Sequence, residues 1–233
     1  FSDPLVKYKL WNYEIYIPLS HNLPVVLYSS KNYNTNLGRI SNYVSEKYSK
    51  FSIIDIGANV GDTVALLRSF NNTQLLCIEG EKPYFELLKK NTNQFTDVTC
   101  VNFFLGEKND EINATVKVDR GTSKLAFDDR NKVDIKTLDS VLENFKEFQN
   151  SKLIKIDTDG YDFKILKGSH TLLLNSRPVI FVEFDPNLMR ANGEDIFSLF
   201  AFFTEYQYEN IIFYDNFGKY VISLNLDEKE KLF

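Results

Sequence analysis

Five short apolar runs, FSIIDIG, QLLCIE, DVTCVNF, KLIKID and PVIFVEF, constrain the fold of this chain more than any other feature. Each is apolar at successive positions, so neither face of the strand it forms can meet water. The stretches between the first three, 61–70 and 83–95, carry helical periodicity, and Pro83 is well placed at a helix start. Strands buried on both faces and alternating with helices imply an α/β fold with a mostly parallel sheet covered on both sides. Aromatics make up 15% of the 233 residues, with 10 Gly and 6 Pro, a composition suited to packed elements over long loops.

Other segments surround that core. Residues 1–30 alternate apolar and polar positions, as in YEIYIPLSH and LPVVLYS, and read as a small β-ribbon closed by Pro18 and Pro24. At 36–48, Leu37, Ile40, Val44 and Tyr48 mark one face of an amphipathic helix. A polar excursion over 106–135 reads as a hairpin-like insertion before the helix TLDSVLENF, and a Phe-rich helix is expected around 193–206. The tail YENIIFYDNFGKYVISLNL reads as two strands joined at Asp215–Gly218, a hairpin that could close one sheet edge. With no repeat or linker the chain reads as one domain, 1–50 a cap and 51–233 the core.

Lys and Arg number 27 against 32 Asp and Glu, a net charge of −5. Phosphate binding draws on clustered cations, so neither nucleic acid nor an anionic membrane surface is an expected partner. The apolar runs fall short of the ~20 residues of a membrane helix. FSDPLVKYK does not look like a secretory signal, and the expected location is cytoplasmic. Cys77 and Cys100 lie in strand-like runs and read as buried free thiols; with 2 His they do not suit structural zinc. The start at Phe1 instead of Met fits a domain excised from a larger biosynthetic protein.

The densest chemical signal is IIDIGANVGDT at 53–63, a strand with Asp55 near its end, a turn at Gly57 and a helix after Gly61. In open α/β sheets ligands bind beyond the carboxyl ends of the strands, and amides at such a turn can hold a carboxylate or phosphate. The spacing is G-x-x-x-G, with Asn59 where a dinucleotide fingerprint has its second glycine, which weakens a nicotinamide reading. Glu79 ends the next strand, where a carboxylate can accept from both hydroxyls of a ribose. Asp157, Asp159 and Asp162 crowd the end of KLIKI, and Glu183 ends the strand after it. Like charges so close repel unless solvated, paired or occupied. Asp157 and Glu183, side by side at the rim, could bind a divalent Mg-like ion, or one acid could take a proton; either could equally cap a helix.

IIDIGANVGDT, CIEGEKPYFELLKKN, VDIKTLDSVL, KLIKIDTDGYDFKILKGS and VIFVEF, in that order, together resemble the FkbM family of S-adenosylmethionine-dependent methyltransferases, as do NLGRI and YDNFG. Pro83 stands a few positions later than the proline many members carry after the acid, and Asp159 stands where glutamate is common. The resemblance implies a Rossmann-like class I methyltransferase with a mostly parallel seven-stranded sheet, a C-terminal antiparallel hairpin and the small N-terminal cap. It also implies that the cofactor's methionine end lies across Asp55–Gly61, with Asn59 and Asp62 completing the loop contacts. Glu79 would hold the ribose, Asn102 would lie near the adenine, and Asp157 near the methionine amine. Asn36 and Arg39 could reach the same pocket from the upstream helix.

The leading expectation is therefore an S-adenosylmethionine-dependent O-methyltransferase for a hydroxyl of a sugar, glycan or related polyol. An alcohol must lose its proton during attack, which makes Asp157, Asp159 and Glu183 the catalytic candidates. His170 reads as structural, well inside the helix after Asp162, and His21 as an exposed turn residue or part of a lid. The rivals are an N-methyltransferase of a small amine or peptide, a nicotinamide-dependent oxidoreductase and a non-catalytic binding module.

Overall fold

The computed structural model describes residues 3–119 and 121–228; Phe1, where the chain starts, and Arg120, in the polar excursion, lie outside the described residues. The alternating N-terminal residues form an antiparallel ribbon of β1 (Leu5–Leu10) and β2 (Tyr13–Pro18). The second half of the expected ribbon is instead a helix, α1 (Leu23–Ser29). Pro24 sits in its first turn, where an N–H has no intrahelical partner to lose. α2 (Thr35–Lys47) follows the three- and four-residue spacing and buries Leu37 and Val44.

Strands and helices then alternate through β3 (Ser52–Ile56), α3 (Asp62–Arg68), β4 (Gln74–Ile78), α4 (Lys82–Thr92) and β5 (Val98–Val101). Every residue of β3 is buried, and each fully buried Ile there contributes roughly 1.5–3 kcal/mol. The polar excursion forms a sheet of its own, β6 (Phe104–Leu105), β7 (Asp110–Asp119) and β8 (Thr122–Lys136), in the order β6-β8-β7. α5 (Leu138–Leu142) is capped by Thr137, whose Oγ1 accepts from Ser140 N at 3.1 Å.

After β9 (Leu153–Ile156) the expected single helix is two, α6 (Asp162–Lys167) and α7 (His170–Ser176). The break falls at Gly168, where a Cβ would lie 2.1 Å from Gly106 O, so His170 begins a helix instead of lying deep in one. β10 (Val179–Val182), α8 (Pro186–Ala191) and α9 (Ile196–Glu205) complete the core.

The central sheet is all parallel, in the order β10-β9-β3-β4-β5. Strand order reverses between β3 and β9, which places the ligand-binding switch point at their carboxyl ends. The sheet has five strands among the described residues, not the expected seven. The tail hairpin, β11 (Asn210–Tyr214) and β12 (Tyr220–Asn225), forms a separate two-stranded sheet. It docks through side chains instead of a backbone ladder: the Phe213 ring meets Phe184 edge-on at 5.9 Å, and Ile211 packs on the same core.

The N-terminal ribbon is fixed to the core by Tyr13 Oη, which donates to Arg68 O at 3.2 Å, by Gln94 Nε2, which donates to Glu14 O at 3.0 Å, and by Asn91. Tyr16 N donates to Asn91 Oδ1 at 2.7 Å, while Asn91 Nδ2 donates to Tyr16 O at 2.8 Å and Val60 O at 2.7 Å. Leu10, Ile15, Ile17 and Leu23 form a cluster with Val60, Ala65, Tyr84 and Leu87 beneath it. Cys77 and Cys100 are free thiols on adjacent strands, Cys77 buried and Cys100 half-buried. Among the described residues no helix is long and apolar enough to cross a membrane.

Candidate functional site

Gly57 follows β3 and Asp157 follows β9 at the switch point, flanked by Glu79 after β4 and Glu183 after β10. Gly57 has φ +74°, and a Cβ on it would lie 2.0 Å from Asp157 O. The two strand ends therefore touch backbone to backbone, which a side chain forbids. Gly61, at φ +86°, serves packing: a Cβ there would meet Leu88 and Thr92 of α4 at 3.1 and 3.3 Å.

Beneath this turn lies a residue the sequence candidates omit, Lys155. Its ammonium is 3.2 Å from Asp55 Oδ1 and 3.5 Å from Asp157 Oδ2, and it donates to Gly57 O at 3.0 Å. Strand register sets Asp55 and Lys155 opposite each other. Asp55 is fully buried, so it faces this lysine below the loop. Burial alone would lower the Lys155 pKa; Asp55, Asp157 and Asp62 outweigh it, raise the pKa and keep the ammonium charged. Burial in turn raises Asp55, against the pull of Lys155. The available signal was a lysine inside an otherwise apolar strand, which requires a buried counter-ion.

Asn59, at φ 48°, organises the loop above. Its backbone N donates to Glu79 Oε2 at 2.9 Å, its Nδ2 donates to Gly121 O at 2.5 Å, and its Oδ1 lies 3.4 Å from His21 Nε2. The N-terminal cap and the β7–β8 turn thus meet at Asn59. His21 also accepts from Leu23 N at 3.1 Å through Nδ1, which makes it a half-buried part of this junction, not an exposed turn residue. Asp62 begins α3, half-buried, its pKa raised by burial against Lys155 and His21.

Glu79 Oε1 accepts from Glu81 N at 2.8 Å, which leaves each carboxylate oxygen with a further lone pair. Burial pushes its pKa up to about 6, against the two amide hydrogen bonds. Asn102 ties the neighbouring strand end to it, Nδ2 donating to Glu79 O at 2.7 Å and Gly80 O at 2.8 Å. Phe104, also absent from the sequence candidates, lies against Gly80, where a Cβ would come 2.3 Å from its ring. If Glu79 grips a ribose as a carboxylate, S-adenosylmethionine affinity measured by calorimetry is expected to fall as pH drops through about 6. Glu79→Gln is expected to weaken binding and flatten that dependence; an unchanged slope in the variant would exclude Glu79 as its source.

The acids after β9 divide by role. Asp162 is buried and closes the loop, accepting from Thr158 N at 3.1 Å and Gly160 N at 3.0 Å. Burial, then Asp157, raises it to about 6. Asp159 lies in this loop at φ 53°, and the Asp157 side chain is 45% exposed. Glu183 is exposed at the surface, and partial desolvation, then Asp157, Asp162, Asp159 and Asp185, push its pKa up to about 8. Tyr33, another member the sequence did not single out, is pushed up to about 12 by burial and by Asp157 and Asp62.

The expected cation site at Asp157 and Glu183 gains no third ligand among the described residues. Among the described residues no three His, Cys, Asp or Glu side chains converge as metal ligands. Asp162 is turned to backbone amides, and Asp185 caps α8 by accepting from Asn187 N and Leu188 N. His170 Nδ1 lies 2.5 Å from Tyr206 Oη. Arg39 donates to Thr35 Oγ1 at 3.2 Å and lines a cavity with the β11–β12 turn, while Asn36 is buried in α2.

The Methyltransferase FkbM domain matches residues 55–209. The chain belongs to the FkbM methyltransferase family. The matched FkbM span contains Asp55, Glu79, Lys155, Asp157 and Glu183 and excludes the N-terminal cap and the tail hairpin. Among solved structures, precorrin-6y C5,15-methyltransferase from Geobacter metallireducens is 14% identical over 70% of this chain and 66% of its own, with a TM-score of 0.42. This chain therefore spans just under two thirds of that structure. TYW2 from M. jannaschii, in complex with AdoMet, is 11% identical over 92% of this chain and 77% of its own, with a TM-score of 0.42. TYW2 from P. horikoshii, in complex with MeSAdo, is 11% identical over 96% and 71%, with a TM-score of 0.44. No curated protein matches the chain.

Proposed function

We propose that this FkbM-family protein is an S-adenosylmethionine-dependent O-methyltransferase acting on a hydroxyl of a sugar or related polyol. The observation that carries the reading is the rim of acids at the ends of β4, β9 and β10, around a switch point braced by Lys155. The rim fits the cofactor's chemistry. Asp157 is half-exposed beside the turn, suited to an ammonium; Glu79 has lone pairs for two hydroxyls; and Thr158 Oγ1 is buried without a hydrogen-bond partner in the same loop. Asn59 and Asp62 would complete the loop contacts, and Asn102 with Phe104 would border the adenine.

When bound, the cofactor supplies an electrophilic methyl group on a cationic sulfur. The chain's own task is to hold the acceptor oxygen within about 3–3.5 Å of that carbon, exclude water and take the hydroxyl proton. Glu183 is suited to the last step. With a pKa of about 8 it is a carboxylic acid at lower pH and a base of useful strength once ionised. Asp159, in the facing loop, would orient the acceptor.

Incubation with labelled S-adenosylmethionine and a panel of glycans, small polyols and amines tests this reading. Transfer to a hydroxyl is expected, with kcat rising as pH rises through about 8. Glu183→Gln is expected to lower kcat by about 10²–10⁴ and remove the rising limb. Transfer confined to amines and indifferent to Glu183 would establish N-methylation instead. Absence of cofactor binding would overturn the reading altogether.

A further inference from the structure

A cavity of about 590 Å³ opens between the segment after α1, helix α2 and the β11–β12 turn, walled by Asn32, Arg39, Asp215, Phe217, Lys219 and Tyr220. Its size is that of a small-ligand site. The turn that closes it is firmly built. Asp215 Oδ1 accepts from Phe217 N at 3.0 Å and Lys219 N at 2.9 Å, which ties that one oxygen to the backbone. Gly218, at φ +78°, seats the turn on α2, where a Cβ would come 2.9 Å from Asn36 Oδ1 and 3.2 Å from Asn32 O. Asn36 is 2% exposed, and its Oδ1 has no hydrogen-bond partner.

The wall combines three kinds of contact. Arg39 and Lys219 are cations with no carboxylate partner among the ion pairs of the described residues. Phe217 and Tyr220 are 50% and 57% exposed and present two rings to the same cavity. Asn32, Ser29 and Ser30 add amide and hydroxyl groups. Cations bind a carboxylate or phosphate, aromatic rings stack on the C–H face of a sugar, and short polar groups bond its hydroxyls. Asn32 of the wall immediately precedes Tyr33, whose hydroxyl feels the charges of Asp157 and Asp62. An anionic acceptor would be repelled by the acids at the strand ends, and a pair of cations in its subsite would offset that repulsion.

We propose that this cavity is an acceptor subsite for a sugar bearing a carboxylate or phosphate, with Arg39 and Lys219 holding the anion and Phe217 and Tyr220 stacking on the ring. The inference rests on the sugar O-methyltransferase reading and narrows it to anionic sugars.

Calorimetric titration of the whole chain at low salt with D-glucuronate, D-glucose 1-phosphate, D-glucose and inorganic phosphate tests it. At least one anionic sugar is expected to bind, with glucose and free phosphate each at least ~10-fold weaker; which of the two binds separates a uronate from a sugar phosphate. The double variant Arg39→Gln/Lys219→Gln, exposed and outside the core, is expected to lose at least ~10-fold for that sugar, with unchanged circular dichroism and unchanged S-adenosylmethionine affinity. Phe217→Ala/Tyr220→Ala is expected to weaken the sugar but not free phosphate. Equal binding of glucose and the anionic sugars, free phosphate binding as tightly as the sugars, no binding of any probe, or indifference to the charge variant would overturn the proposal. A separate titration with S-adenosylmethionine reports on the underlying function, so the two readings fail independently.

Discussion

Replacing Lys155 with methionine is expected to cost about 3–5 kcal/mol of stability, read by urea denaturation, because it strands the fully buried Asp55 carboxylate. Asp55 would then either protonate or carry an uncompensated charge. Adding Asp55→Asn is expected to return most of the loss, since removing both charges is far milder than removing one. Cofactor affinity should behave differently. Lys155 also donates to Gly57 O at 3.0 Å, and no side chain of the double variant replaces that bond. The double variant is therefore expected to be stable yet still bind S-adenosylmethionine weakly. A single variant within about 1 kcal/mol of the parent would show that the ion pair does not brace the switch point.

Gly57→Ala is expected to be at least as damaging, above about 4 kcal/mol, among the largest effects a single substitution gives. The left-handed backbone at φ +74° costs an alanine roughly 1–2 kcal/mol, and the new methyl would meet Asp157 O at 2.0 Å. That oxygen belongs to the neighbouring backbone and can yield only if β3 and β9 part. Gly193→Ala is the control, with φ +77° and nothing within 4 Å of a Cβ. It should lose only the backbone term, roughly 1–2 kcal/mol. Equal losses at the two positions would mean that the close approach of the strand ends carries no weight.

The core strands were legible because burial on both faces leaves an unmistakable mark: Ile53, Ile54 and Ile56 have no polar partner face to alternate with. Helix α1 was not, because Pro24 reads as a breaker when it stands in fact at a helix start. The tail hairpin was readable from its turn, but its separation from the sheet depends on Phe184 and Phe213 meeting across space, which no local pattern encodes. At the site, the acids stood out as strand-end residues. Lys155 did not, since its meaning lies in a register pairing with Asp55. Asp162 looks from sequence like one more acid crowding the strand end, and only the loop's amides reveal it as a brace.

Lys155 and Gly57 are 98 residues apart in the chain, and β9 arrives long after the strand it must lie against. One edge of β3 therefore stays open and apolar until β9, which ends at Ile156, has been made. Asp55 guards that edge. Any other strand that paired there would seal a carboxylate away from water without a counter-charge, at a cost of several kcal/mol. The buried pair thus favours, at the centre of the sheet, a strand that sets a lysine opposite Asp55.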